Sequence, residues 1–143
     1  MNVYVEGRVR NKELVYGYVN TLLKALNIHR LQRELTVQFV TECEGQVLGY
    51  CWGDTDEVIV QISRESCGEK QSFIEMMKVL THEMVHARQL LRKQLTNTGC
   101  HRTWNGKAAD HYSYEESPWE IEAYELEEPL FNKWFPINAP FKN

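Results

Sequence analysis

The stretch VLTHEMVHARQLL, residues 79–91, places two histidines four positions apart with a glutamate between them. On a helix, positions i and i+4 share one face, so His82 and His86 can offer imidazole nitrogens to a single ion at about 2.0–2.1 Å. Glu83 lies one residue round from His82. It is poorly placed to share the ion but able to reach a water bound to it. Metal-assisted hydrolysis needs this division of labour: the metal brings the pKa of its water to about 7, and a carboxylate takes the proton. The H-E-x-x-H pattern has only three fixed letters, so its surroundings decide its weight. Val79, Leu80, Met84 and Val85 make this a buried helix, and unpartnered polar groups there cost a few kcal/mol each. A zinc ion satisfies both histidines at once. The competing reading is two core histidines satisfied by backbone or carboxylates.

Three protein ligands and a water make the usual catalytic zinc site. Downstream candidates for the third ligand are His101, His111, Glu116, Glu120 and Glu122. Glu120 is preferred, because Ala123 one turn on lets its helix approach the first closely. Ser117, Pro118 and Glu120 also suit the N-cap, first helical position and acid of a capping box. The Glu120 carboxylate therefore has a competing use on the Ser117 backbone. Glu122 shares a stripe with Glu125 and Leu126 and reads as solvated. Glu122 and His101, which follows a glycine-containing turn, stay open as alternatives. His111, Tyr112, Tyr114 and Tyr124 can each donate to the oxyanion of a hydrolytic transition state, with packing or exposure as their default.

Outward from the motif, apolar residues at helical spacing carry the central helix from Phe73 to about residue 94, with TNTG (96–99) and its Gly99 ending it. Upstream, ELTVQFVTE (34–42), QVLGYCWG (46–53) and EVIVQIS (57–63) read as three strands joined by short turns, hence an antiparallel meander. ELVYGYVNTLLKALN (13–27), opened by Asn11 and Lys12, is a one-sided helix stopping at Asn27. SPWEIEAYELEE (117–128) is a short helix. From Pro129 on, the chain holds three of its four prolines and reads as an extended strap.

The expected class is α+β in a single domain, 1–143: a small antiparallel or mixed sheet of about three strands, packed on an N-terminal helix and the central HExxH helix, with a second glutamate-bearing helix. A length of 143 residues with 43% hydrophobic and 25% charged residues suits one modest core. The net charge of −4 argues against nucleic-acid binding, and residues 115–128 concentrate seven glutamates without a lysine or arginine. No run approaches the roughly 18 apolar residues of a membrane span. MNVYVEGRVRNKEL has no apolar signal core. Cys43, Cys51, Cys67 and Cys100 form no C-x-x-C pair and read as free thiols of a cytoplasmic protein, rather than a disulfide framework or a zinc–thiolate cluster.

THEMVHARQ followed by SPWEIEAY resembles the gluzincin-type (HExxH) zinc metallopeptidases, and in particular small metallopeptidase-like proteins of bacteriophages and bacteria. Trp104-Asn105-Gly106 and Pro118 to Ala123 match their Trp-x-Gly and Pro-Trp-Glu-Ile-Glu-Ala stretches, and the resemblance spans residues 73–126. It implies a zincin-like fold, Zn2+ held by His82, His86 and Glu120, and Glu83 as general base. It also implies a sheet edge that binds a peptide substrate by strand addition, for which EVIVQIS is the expected strand. Tyr124 stands where some gluzincins carry an acid that supports a histidine ligand, so orientation of the ligands falls to Glu127 or a backbone carbonyl. The SprT-like proteases are the rival resemblance, with His101 as third ligand, although Arg102 replaces the glycine expected after it.

The expected function is zinc-dependent endopeptidase action on a protein or peptide in the cytoplasm (the host cytoplasm for a phage-encoded chain). The small size leaves little room for a substrate-binding subdomain, which points to a narrow substrate. A catalytically silent zinc-binding regulatory or interaction protein on the same scaffold is the alternative. Glu83 argues against it, since structural zinc sites have four protein ligands and need no base. A DNA-associated protease would use Arg88, Arg92 and Lys93, a trio that ordinarily forms a solvated helix face.

Overall fold

Connectivity, more than strand pattern, decides the order of the sheet. The computed structural model describes residues 1–99 and 101–136. It opens with a strand, β1 (Asn2–Glu6), absent from the sequence reading. The first helix, α1 (Lys12–Ala25), starts where the Asn11 side chain accepts the Leu14 N–H at 3.1 Å. It buries Val15, Tyr18, Val19, Leu22 and Leu23. The chain leaves it through Asn27 at φ +58, a left-handed conformation asparagine tolerates. The helix returns the chain to β2 (Glu34–Val40), which pairs parallel with β1, Val3 opposite Leu35 and Val5 opposite Val37.

Strands β3 (Gly49–Gly53) and β4 (Glu57–Ser63) form an antiparallel hairpin. The turn between them closes on Asp54, whose carboxylate accepts the N–H groups of Asp56 and Glu57. β4, not β3, lies beside β2, and it does so in parallel, giving the order β1-β2-β4-β3. The expected antiparallel meander is thus corrected to a mixed four-stranded sheet. EVIVQIS is an interior strand, and the edges are β1 and β3. The physical reason is burial. Leu35, Val37 and Phe39 of β2 and Val58, Val60 and Ile62 of β4 are all buried on one face, so pairing them side by side gives the helices one continuous apolar surface. The link 41–48 is long enough to bypass a strand position. On the other face Gln61 donates to Gln38, and Gln38 to Glu6, both at 3.0 Å.

A small hairpin, β5 (Glu65–Ser66) and β6 (Glu69–Lys70), turns on Cys67 and Gly68, both at positive φ. It leads to α2 (Phe73–Leu91), which a complete capping box between Ser72 and Glu75 starts. The helix ends at Leu91, and Lys93 at φ +61 turns the chain away. The expected continuation to about residue 94 and the stop at Gly99 are therefore corrected. Residues assigned to that stop form β7 (Leu95–Thr98), paired with β8 (His101–Trp104), which pairs in turn with β9 (Lys107–Ala108). Asn105 and Gly106, both at positive φ, make the tight turn between β8 and β9.

The last helix, α3 (Pro118–Trp134), runs through Pro129, where the sequence suggested an extended strap. A proline inside a helix costs about 3 kcal/mol. Phe131 and Phe135 offset it: their rings stack 4.8 Å apart, and both meet Tyr18 of α1 edge-on. The remainder of that strap, 137–143, lies outside the described residues, as does Cys100. A single apolar cluster joins the sheet, α1, α2 and the end of α3. The buried Tyr18 and Thr81 hydroxyls, 2.6 Å apart, tie α1 to α2. The architecture is α+β, with three α-helices and small sheets among the described residues. No helix among them is long and apolar enough to cross a membrane.

Candidate metal centre

Helices α2 and α3 bring the site together. His82 and His86, one turn apart, set their rings 5.0 Å apart at 80°. Ala123, fully buried, lets α3 come close, and Glu120 in its first turn inserts Oε1 between the two imidazoles. That oxygen lies 3.0 Å from His82 Nε2 and 3.1 Å from His86 Nε2. The three donor atoms fall within 4.8 Å of one another, a group able to hold a metal ion. The expected capping use of Glu120 is not seen: the Ser117 hydroxyl donates to the Ser113 carbonyl at 2.7 Å and makes no cap bond, leaving the Glu120 carboxylate for the histidines.

Each imidazole is held from behind. His82 Nδ1–H donates to Glu127 Oε1 at 2.9 Å, and His86 Nδ1–H donates to Gln89 Oε1 at 2.8 Å. Gln89 is oriented in turn, because its amide donates to the Trp119 carbonyl at 3.0 Å and to Glu122 Oε1 at 2.9 Å. With both Nδ1 atoms acting as donors, the neutral tautomers put their lone pairs on Nε2. Two lone pairs and a carboxylate oxygen then converge with no donor among them. Such a cluster calls for a positive charge, either a proton or a metal ion, and the donor set of two imidazoles and one carboxylate suits zinc.

The protonation pattern follows the same logic. Burial pushes the His82 imidazole down. The hydrogen bond to Glu120, the Glu83 charge and the bond to Glu127 outweigh it and lift His82 to about 9. His86 is raised in the same way, against its burial, by Glu120, Glu83 and Gln89. Burial pushes Glu120 up, but the two histidines overcome it and hold the carboxyl at about 2. Glu83 behaves oppositely. Burial raises it to about 7, opposed by the charges of His86 and His82. In the metal-free protein His82 therefore carries its proton at neutral pH, and a metal must displace it. The apparent affinity of this group for a divalent metal ion, zinc being the one to try, is expected to rise about tenfold per pH unit below about 9 for each proton displaced, and to level off above. Competition with a chelating dye from pH 6 to pH 9.5 measures the slope; a flat profile contradicts it.

Glu83 stands outside the three-donor group, close under β3. A β-carbon on Gly49 would lie 2.5 Å from Val79 Cγ1, 3.1 Å from Glu83 Cγ and 3.2 Å from Glu83 Oε2. Glycine is what lets the edge strand pass this near the helix. The groove between β3 and the two helices is a cleft of about 910 Å³ lined by residues 46–53, both histidines, Glu83 and Glu120.

Other sequence candidates are placed as follows. Tyr114 and Tyr124 line the cleft, their hydroxyls 2.9 Å apart; Tyr114 O–H also donates to Glu120 Oε1 at 3.4 Å. Tyr112 lines the cleft edge-on to Trp119, while His111 packs on Tyr112 outside it. Glu122 pairs with Arg88 and Gln89 rather than joining the group. Glu116 accepts from the Ser113 hydroxyl. The His101 side chain is 80% exposed, faces Asp110 and is not part of the three-donor group. Among the described residues the cysteines are unpaired, with Cys43 buried and Cys67 exposed. Sequence reasoning overlooked Gln89 and Gly49. Gln89, three positions after His86 on an apolar helix, was visible as a buried amide needing a partner; Gly49 carried no local signal. No protein-family model matches the chain, and no curated protein matches it.

Proposed function

We propose that the chain is a zinc-dependent metallopeptidase of zincin-like architecture, with His82, His86 and Glu120 holding the ion and Glu83 as general base. The observation that carries this reading is the convergence of two Nδ1-anchored imidazoles and one carboxylate beside a buried glutamate that is not part of the donor set. Zinc held there by His82, His86 and Glu120 would supply Lewis acidity able to make a water acidic near neutrality. Glu83, buried beside the donor group and not part of it, would take a proton from that water and pass it to a leaving amine. The Tyr114 hydroxyl, which donates to Glu120 and meets Tyr124, would turn from Glu120 to donate to a substrate oxygen that gains negative charge.

The peptide is held by β3, which takes the role that the sequence reading gave to EVIVQIS. The Ser63 N–H bonds to the Leu48 carbonyl, and the Asp54 N–H to the Glu57 carbonyl. In an antiparallel pair such bonds alternate, so Gly49, Cys51 and Gly53 direct their N–H and C=O groups away from β4, along the free edge. A substrate strand added there lies over Glu83.

The test compares zinc-loaded with chelator-treated protein on unfolded casein, reading new peptide termini by mass spectrometry. New termini are expected only with zinc. No cleavage by the zinc-loaded protein across a panel of unfolded proteins would favour the catalytically silent zinc-binding alternative instead.

A further inference from the structure

Past His86 the cleft changes character. One turn on, Leu90 joins Leu95 of β7 and the buried Trp119 to form an apolar wall, and Trp119 immediately precedes Glu120. At the exposed end of this wall stands a cation. Among the described residues, Arg102 of β8 is the one Lys or Arg that lines the cleft, and its guanidinium lies 5.4 Å from the Trp119 ring centroid. Stacking on an indole holds the guanidinium plane while leaving its N–H fork available. Among the described residues no carboxylate forms an ion pair with it. Asp110, the nearby acid, spends one oxygen on the Arg102 backbone N–H and the other on His101.

Strand register adds a second donor. Asn97 of β7 sits directly opposite Arg102, and both line the cleft. Facing residues of a strand pair hold their β-carbons about 5 Å apart, so an amide and a guanidinium stand side by side. Leu95, two residues from Asn97, projects from the same face. An apolar pocket next to paired donors, in a cleft otherwise rich in glutamates, suits a ligand with a greasy side chain followed by a negative charge.

We infer that this wall selects peptides in which a bulky apolar residue is followed by a carboxylate, supplied by an acidic side chain or by the peptide's own C-terminus. Selection of a peptide substrate rests on the metallopeptidase reading. Arg102 and Asn97 are both exposed in the free protein, and a two-pronged guanidinium–carboxylate contact at such a rim corresponds to a preference of about fivefold.

The experiment uses zinc-loaded protein carrying Glu83→Gln, so that bound peptides are not consumed, and reads binding by calorimetry. The probes are acetylated alanine hexapeptides with one internal leucine followed by aspartate or asparagine, both C-terminally amidated, and a pair ending at leucine as free acid or amide. At least one charged probe is expected to bind about fivefold tighter than its neutral partner. Preference in the aspartate pair assigns an internal acidic residue; preference in the free-acid pair assigns the C-terminus. Adding Arg102→Gln, or Asn97→Asp to occupy the guanidinium from within, should bring charged and neutral probes to within about twofold. Arg102→Lys should keep part of the difference. Equal binding of charged and neutral probes, no binding of any, or a preference that survives Arg102→Gln would overturn the inference. Zinc content, and cleavage by protein with Glu83 intact, separate the two ideas. Cleavage without charge preference removes this inference and leaves the metallopeptidase. Arg102-dependent preference without zinc or cleavage does the reverse.

Discussion

On the proposed metallopeptidase reading, Glu83→Gln is expected to retain zinc and to lower peptide hydrolysis by roughly 10²–10⁴-fold, the range that a positioned general base contributes. Metal should stay because the three donors are His82, His86 and Glu120, with Glu83 outside them. Activity should fall because glutamine keeps the size and most of the packing of the carboxyl group but cannot take a proton. The substitution also has a stability signature. In the metal-free protein Glu83 titrates at about 7 because burial disfavours its charge. Its stability contribution is present below the ordinary glutamate pKa of about 4.3 and is lost as pH rises through about 7. The amide has no charge to bury, so metal-free Glu83→Gln should melt at the same temperature as the parent at pH 4 and at a higher one at pH 8. Thermal unfolding at the two pH values checks this. A variant that loses zinc together with activity would mean that Glu83 helps to hold the ion, and the division of labour fails.

Glu120→Ala is expected to remove most of the bound metal, a larger loss than the roughly 10–100-fold that follows from deleting an outer hydrogen bond such as that of Gln89 or Glu127. Zinc content after gel filtration, and competition with a chelating dye, read the difference; His101→Ala should match the parent. The opposite pattern, metal kept in Glu120→Ala and lost in His101→Ala, would hand the third position to His101 and favour the SprT-like alternative. The metal-free protein gives an independent readout of the same contacts. Because the histidines hold Glu120 down at about 2, its contribution to stability is present above the ordinary carboxylate pKa and is lost as pH falls toward 2. The alanine variant should lack that part of the acid transition.

Legibility in the sequence tracked the range of the forces involved. Helices α1 and α2 and strands β2 and β4 were readable because burial on one face writes a period into the chain. The sheet order was not. Alternation in Leu35, Val37, Phe39 and in Val58, Val60, Ile62 says which side is buried and nothing about which strand is the neighbour. For that reason the pattern of EVIVQIS alone fits an edge as well as an interior strand. The turn between β8 and β9 was in plain sight as Asn105-Gly106, a strong hairpin signal, but the flanking strands are too short to alternate clearly. Pro129 misled because local propensity was overridden by two phenylalanines meeting Tyr18 from far along the chain. At the site, the i, i+4 histidines came from local geometry alone. The choice of Glu120 rested on a neighbouring small residue, Ala123, while the competing capping box was equally well written in the sequence. It took the Ser117 hydroxyl turning to Ser113 to distinguish them. Glu127 was considered as a support for the ligands, whereas Gln89 was overlooked.

Glu120 lies 34 positions after His86 and reaches it from a different helix, and this has a consequence for the order of biosynthesis. At roughly 5–20 residues per second, the two imidazoles are made several seconds before the carboxylate that completes their group. Through that interval α2 offers a two-donor half-site only, and α3 has yet to dock. On the proposed reading, a nascent chain is therefore inert toward its neighbours on the ribosome, and it becomes an enzyme only when the C-terminal third has been translated and folded back.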